Sequence, residues 1–327
     1  MRRRTVTRAL VYGALAPVFD QALAQSRTIA TVGFLHAATP QADRVAAFQR
    51  GLKEAGFAEG TNLRTEYRWA NGRFERLPEL AQQLVRQRVD VIATPGNTAA
   101  ALAAKAATSS IPIVFGVAED PVALGLVASF ARPGGNATGI NYLAAEIVAK
   151  RLRLLRELLP RAGRVAALIN PANVTNTAAT LRELQAAERM LGLDVDVHNA
   201  SAADEIDSAF LAMVRQRSDG LFVAPDSYYS TRREQLIRLA AKHGIPAVYS
   251  VRDYVEEGGL MSYGPSITDM FYRVGRYAGK VLGGTDPAEL PVEQIDRLEL
   301  VINGKTARAL GLSIPPSIAV GADDVAK

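Results

Sequence analysis

The 327-residue chain contains no cysteine. Without thiols there is no disulfide, no zinc–thiolate or iron–sulfur site, no thiol nucleophile and no lipid anchor on an N-terminal cysteine. Histidine is nearly as scarce. His36, His198 and His243 stand far apart and match neither H-x-x-x-H nor H-x-H spacing, so no histidine metal site is expected. The dinucleotide fingerprint G-x-G-x-x-G is missing, and so is the G-x-S-x-G elbow. Gly304-Lys305-Thr306 ends like a phosphate loop, but Glu299 stands where the earlier glycine belongs. Paired α/β domains also occur in cofactor-free racemases, which typically use two thiols that this chain lacks. Together these absences point away from an enzyme and toward a protein that works without cofactor or metal.

With 48% hydrophobic and 22% charged residues the chain is globular, and its length predicts about two domains. The net charge of +5 invites a nucleic-acid reading, until its position is considered. Residues 1–24 carry Arg2, Arg3, Arg4 and Arg8, a mildly apolar middle and the small-x-small site Ala22-Leu23-Ala24, the pattern of an export signal. Arg3-Arg4-Thr5-Val6 approximates a twin-arginine signal, with Thr7 where a second bulky apolar residue is usual. A membrane span needs about 20 apolar residues, and Arg8 to Asp20 leaves too few. Cleavage near Ala24 removes four arginines and Asp20 and leaves +2. No later basic run forms a nucleic-acid stripe, and Lys150–Arg156 reads as the solvated face of a helix.

Beyond Arg27, short β-branched runs alternate with stretches of helical period. Ile29–Leu35, Leu63–Trp69, Val89–Ala93 and Pro112–Phe115 read as strands, with helices over Ala42–Ala55, around Leu77–Val85 and from Thr98. The alternation restarts with the helix Glu146–Leu159 and continues through Ala247–Tyr249. Such alternation predicts doubly wound parallel sheets, one in each half. Arg132–Gly139 reads as a loop between the halves. A further helix, Thr268–Leu282, and a strand, Leu298–Ile302, follow the second half, as if the chain crossed between the domains more than once.

Ligands of open parallel sheets bind where strands end and helix N-termini begin. The candidate contacts are therefore His36 after the first strand; Thr94, Asn97 and Thr98 after the third; Ala118 and Asp120 after the fourth; and Asn173, Asp226, Tyr228 and Tyr249 in the second half. Each has a plainer reading as well. Thr and Asn before a helix are ordinary caps, as is Asp226, and Asn173 and Asp120 suit turns. Asp226 beside Tyr228 and Tyr229 suits an ammonium with aromatic walls. Asn97 and Thr98 suit a carboxylate. Trp69 reads equally as a core plug and is left out of the candidate site.

Several stretches resemble the ABC-transporter substrate-binding proteins related to TrpX, a tryptophan and aromatic amino-acid binding group. They are TVGFL at 31–35, FQRGLKEAG at 48–56, EYRWA at 66–70 with RLP at 76–78, and IPIVF at 111–115 with DPV at 120–122. The stretches RPGGNATG at 132–139 and GGLMSYG at 258–264 are the most specific, and the likeness runs from about residue 28 to the C-terminus. The resemblance implies a type I periplasmic-binding-protein fold, an α/β architecture of two doubly wound parallel-sheet lobes joined by three crossovers. Lobe 1 would comprise 28–142 with 265–290, and lobe 2 would comprise 143–264 with 291–327. The crossovers would lie near Gly139–Leu143, Tyr263–Ile267 and Glu289–Val292. It further implies an exported, periplasmic and monomeric receptor, not an enzyme, without cofactor. That receptor would capture a small molecule, an amino acid or related carboxylate with aromatic ones among the candidates, and deliver it to ABC permease subunits. A periplasmic sensor for a signalling partner is the alternative reading, ahead of a cofactor-free enzyme on the same scaffold.

Overall fold

The computed structural model describes residues 29–142, 147–295 and 297–326; the leader read at 1–24 lies outside them. The first part of the chain runs β1 (Ala30–His36), α1 (Ala42–Glu54), β2 (Leu63–Trp69), α2 (Leu77–Arg86), β3 (Val91–Thr94), α3 (Thr98–Ala107), β4 (Ile113–Val117) and β5 (Ala137–Tyr142). The second runs α4 (Ile147–Leu158), β6 (Arg164–Ile169), α5 (Val174–Leu191), β7 (Asp194–Asn199), α6 (Ala203–Gln216) and β8 (Gly220–Val223). It continues with α7 (Ser227–Thr231), α8 (Arg233–His243), β9 (Ala247–Tyr249), α9 (Asp253–Glu256) and β10 (Met261–Pro265). The last part is α10 (Ile267–Leu282), β11 (Glu293–Ile295), β12 (Leu298–Asn303), α11 (Gly304–Ala309), α12 (Pro316–Gly321) and β13 (Asp324–Ala326).

Among the described residues the strands form two sheets, in the orders β11-β5-β4-β3-β1-β2 and β13-β12-β10-β9-β8-β6-β7. Pairing is parallel throughout, apart from β10 against β12. Each sheet is covered on both faces, so its strands are buried along their length and alternate between two cores. In β1, Val32 and Phe34 meet α1 and α10 while Leu35 meets α2 and α3. In β6, Val165, Ala167 and Ile169 face α4 and α5, and Ala166 and Leu168 face α6 and α8.

The late helix α10 packs back on α1 in the first lobe, so the chain does return there after β10. The two helices approach backbone to backbone. A Cβ on Gly51 would lie 2.0 Å from the Tyr272 carbonyl oxygen, and one on Gly275 2.1 Å from that of Phe48.

Two readings change. Ala137–Gly139 is the start of β5 rather than loop: it pairs in parallel with Ile113–Phe115 of β4, and Gly139 sits where a Cβ would lie 2.1 Å from the Phe115 carbonyl oxygen, an approach open to glycine alone. The chain also stays in the first lobe past the expected third crossover at Glu289–Val292. Its strand β11 pairs with β5, and Leu290 and Ile295 are buried in the α1/α10 core. A three-residue strand carries too little periodicity to be read from sequence. No helix of the described residues is long and apolar enough to cross a membrane.

Candidate functional site

The carboxyl ends of the two sheets face each other across a cavity of about 770 Å³, counting its solvent-filled mouth. That size is within the range of small-molecule sites. Contacts between the described residues of the two lobes flank it, three of them being specific. The Asn97 side-chain amide donates to Ser227 Oγ at 3.1 Å, Arg44 Nη2 meets Asp253 Oδ2 at 2.8 Å, and Gly72 lies against the ring of Tyr228.

The first lobe supplies an aromatic and hydrogen-bonding wall. His36 ends β1, and its Nδ1 accepts the Ala38 N–H at 3.0 Å, which leaves the ring proton on Nε2. Burial, with the Arg44 guanidinium second, holds the His36 pKa down at about 3, so the ring is neutral at physiological pH. Asn97 caps α3 by accepting the Ala100 N–H at 2.7 Å. After β4, the buried Asn141 donates to the carbonyls of Val117 (3.1 Å) and Glu119 (2.8 Å) and so pins the loop. This turns the Glu119 carboxylate toward Thr98, whose hydroxyl donates to Oε2. Glu119 Oε1 is buried with no partner among the described residues. Phe271 of α10 completes this wall.

The second lobe supplies charge. Asp226 caps α7, accepting the N–H groups of Tyr228 (2.8 Å) and Tyr229 (3.3 Å). Its carboxylate also accepts from Asn170 Nδ2 (3.0 Å) and Asn173 Nδ2 (2.8 Å). Burial raises its pKa, and these four donors oppose that rise. Arg151, only 2% exposed, donates through Nε to Tyr263 O at 2.6 Å and through Nη2 to Ser250 O at 3.3 Å. Its Nη1 has no partner among the described residues. Burial brings its pKa down to about 9, and it remains a cation at neutral pH. Glu183 of α5 is pushed up to about 7 by burial, against the pull of Arg151.

Of the residues expected from sequence, His36, Asn97, Thr98, Ala118, Asn173 and Asp226 line this cavity, and Thr94, Asp120, Tyr228 and Tyr249 do not. Thr94 is wholly buried within β3. Asp120 turns back on its own loop, accepting the Val122 N–H at 2.8 Å. Tyr228 is spent on the lobe contact with Gly72, with the Arg232 guanidinium 5.4 Å from its ring centre. Tyr249 stacks on Tyr254 at 4.5 Å in the second lobe's core. Trp69 lies behind His36, 5.6 Å from its ring, in a cluster with Phe34 and Tyr67.

Sequence reasoning missed Arg44, Glu119, Arg151 and Phe271. Arg151 falls in the run Lys150–Arg156 that reads as a solvated helix face, yet it follows Ile147 by four residues and precedes Leu155 by four. That spacing puts it on the buried stripe, a signal present in the sequence. Arg44 is likewise one position before Val45 but packs inward to reach the other lobe.

Comparison with known proteins supports the same architecture. The family model described as ABC transporter substrate binding protein matches residues 32–326. A tyrosine-binding protein of Clostridioides difficile (strain R20291) is 28% identical over 266 residues, covering 81% of this chain and 75% of its own. A conserved domain protein from Vibrio cholerae O1 biovar El Tor superposes with a TM-score of 0.82 at 28% identity, over 91% of this chain and 100% of that one. An ABC domain from Streptococcus pneumonia in complex with L-Trp gives 0.80 at 25% identity, over the same shares. Two α/β lobes joined by three crossovers make this a type I periplasmic binding protein fold. The chain belongs to the ABC transporter substrate binding protein family.

Proposed function

We propose that this protein is the exported receptor of an ABC importer, capturing an amino acid, aromatic by preference, between its lobes and delivering it to the permease. The observation that carries this reading is the cavity itself. It lies between two lobes and is lined by groups of both charges, the half-buried Glu119 and the buried Asp226 against the buried Arg44 and Arg151, beside an aromatic wall. A zwitterion needs both signs in one desolvated site, and few other small molecules do. The relatives that are described as binding tyrosine and L-Trp support the choice of ligand class. Export to the periplasm, with cleavage near Ala24, accords with the arginine-bearing leader.

Delivery follows from closure. A ligand that contacts both lobes binds the closed form better than the open one, and it shifts the population by that difference in affinity. The closed form is then the one that docks on the permease. A thermal-shift screen of amino acids, peptides, nucleosides and aromatic acids tests the ligand class. At 100 times its Kd a true ligand stabilises the protein by about 2.7 kcal/mol. Aromatic amino acids are the expected hits. If no amino acid shifts the melting temperature, the ligand assignment falls.

A further inference from the structure

We infer that Glu119 of lobe 1 and Arg151 of lobe 2 are the charge-reading pair of the site, Glu119 holding the ligand's ammonium and Arg151 its carboxylate. This orientation rests on the amino-acid reading above. It reverses the polarity expected from sequence, where Asp226 of lobe 2 takes the ammonium and the helix start at Asn97 and Thr98 takes the carboxylate.

The argument is one of unfilled hydrogen-bonding capacity. Asp226 accepts four hydrogen bonds, Oδ1 from Asn170, Tyr228 and Tyr229 and Oδ2 from Asn173, so both of its oxygens are already engaged in a structural cap and only Oδ2 keeps spare capacity. Asn97 uses its side-chain oxygen for the α3 cap and its amide for Ser227, and the Thr98 hydroxyl is given to Glu119. Glu119, by contrast, meets only a neutral hydroxyl, and its Oε1 is buried without a partner among the described residues. Arg151 hydrogen-bonds only to neutral carbonyls, with the Glu183 carboxyl near enough to feel its charge, and its Nη1 is buried without a partner among the described residues. An unpartnered polar atom on a buried charge is costly, and a ligand bringing the opposite charge removes that cost on both sides at once. Arg44 is less suited to the carboxylate, because Asp253 already neutralises it at 2.8 Å. Since Glu119 and Arg151 stand on different lobes, the same two contacts that recognise the zwitterion also tie the lobes together. A ligand lacking either charge therefore binds weakly and leaves the cleft open.

The test measures Kd by calorimetry for L-tyrosine and L-tryptophan, for their amides, which lack the carboxylate, and for the corresponding arylpropionates, which lack the ammonium. Wild-type protein is expected to bind each analogue about 10- to 100-fold more weakly than the parent, the worth of one charged hydrogen bond. In Glu119→Gln the preference for the amino acid over the arylpropionate collapses to a few-fold, while the preference over the amide persists. In Arg151→Met the reverse holds, and Arg151→Lys restores part of the preference over the amide. Melting curves confirm that each variant is folded, and the wild-type analogue series stands without any variant. If Glu119→Gln keeps its preference and Asp226→Asn loses it, the orientation is overturned while the amino-acid reading survives. If wild-type protein binds neither amino acid, the aromatic amino-acid reading itself fails, and the orientation with it.

Discussion

Asn97 and Ser227, 130 residues apart and on opposite lobes, are joined by a hydrogen bond of 3.1 Å from the Asn97 amide to the serine oxygen. The same asparagine caps α3 through its oxygen, so one side chain both starts a helix of lobe 1 and holds lobe 2. The two roles separate by mutation. Ser227→Ala removes only the bond between lobes, and we expect ligand affinity to fall about 2- to 10-fold with an unchanged melting temperature in the absence of ligand. Asn97→Ala loses the cap as well and costs about 1 kcal/mol of stability in addition. Calorimetry and urea unfolding of the two variants check this. Equal effects on stability would remove the distinction.

The second bond between lobes, Arg44 to Asp253, joins a nearly buried guanidinium to a partly exposed carboxylate. In an open cleft both groups are hydrated, so the contact stabilises the closed form alone. Asp253→Ala leaves Arg44 buried without its counter-charge on closure, and Arg44 Nε has no partner among the described residues to offset that loss. We expect ligand affinity to drop about 10-fold or more while stability without ligand changes by less than about 0.5 kcal/mol. Unaltered affinity would show that the ion pair does not contribute to closure.

The strands and helices that build the two sheets were legible because doubly covered parallel strands are continuous apolar runs and their helices carry clear stripes. The pieces that escaped are short or made of small residues. Among them are β11 and β13, with three residues each, the short helices α9, α11 and α12, and the start of β5, where Gly139 permits a backbone approach that no periodicity announces. Within the site, strand ends were the right place to look, since His36, Asn97, Thr98, Ala118, Asn173 and Asp226 all face the cavity. Which neighbour turns inward was not legible. Glu119 faces the cavity and Asp120 does not, and the reason is Asn141, 22 residues away, gripping the Glu119 carbonyl. Tyr228 and Tyr249 have the chemistry of an aromatic wall, but tertiary packing spends both elsewhere.

The crossing of α1 and α10 offers a direct test of the lobe assignment. Gly51 and Gly275 bring the helices so close that any Cβ meets a backbone carbonyl at about 2 Å, and backbone cannot swing aside as a side chain can. Gly275→Ala is expected to destabilise the protein by about 3 kcal/mol or more, through forced separation of the helices. Gly284→Ala, on a glycine of φ +98° with open space around it, loses only about 1 kcal/mol through its strained backbone. Urea unfolding of both variants decides the matter. A mild effect at Gly275 would mean that α10 does not pack on α1.

His36 makes the stability of the protein depend on acid in a calculable direction. Its folded pKa of about 3 lies below the ordinary 6.5, because burial and then Arg44 disfavour the cation. Below pH 6.5 the unfolded chain binds a proton that the folded chain refuses, so this residue costs stability as the pH falls from about 6.5 toward 3. One proton corresponds to about 1.4 kcal/mol per pH unit. Glu183 acts in the opposite sense. With its pKa raised to about 7, it keeps a proton in the folded state that the unfolded chain releases above about 4.5, and that contribution is lost as the pH rises toward 7. The wild-type profile therefore mixes the two, and only a difference between variants isolates His36. In His36→Asn the amide oxygen still accepts the Ala38 N–H but cannot titrate. The unfolding free energy of this variant, measured in urea between pH 4 and 7, should depend on pH more weakly than wild type on the acid side, by close to one proton. Parallel profiles would mean that His36 takes up its proton in the folded state as readily as in the unfolded one, and its neutral role in the cavity wall would fall.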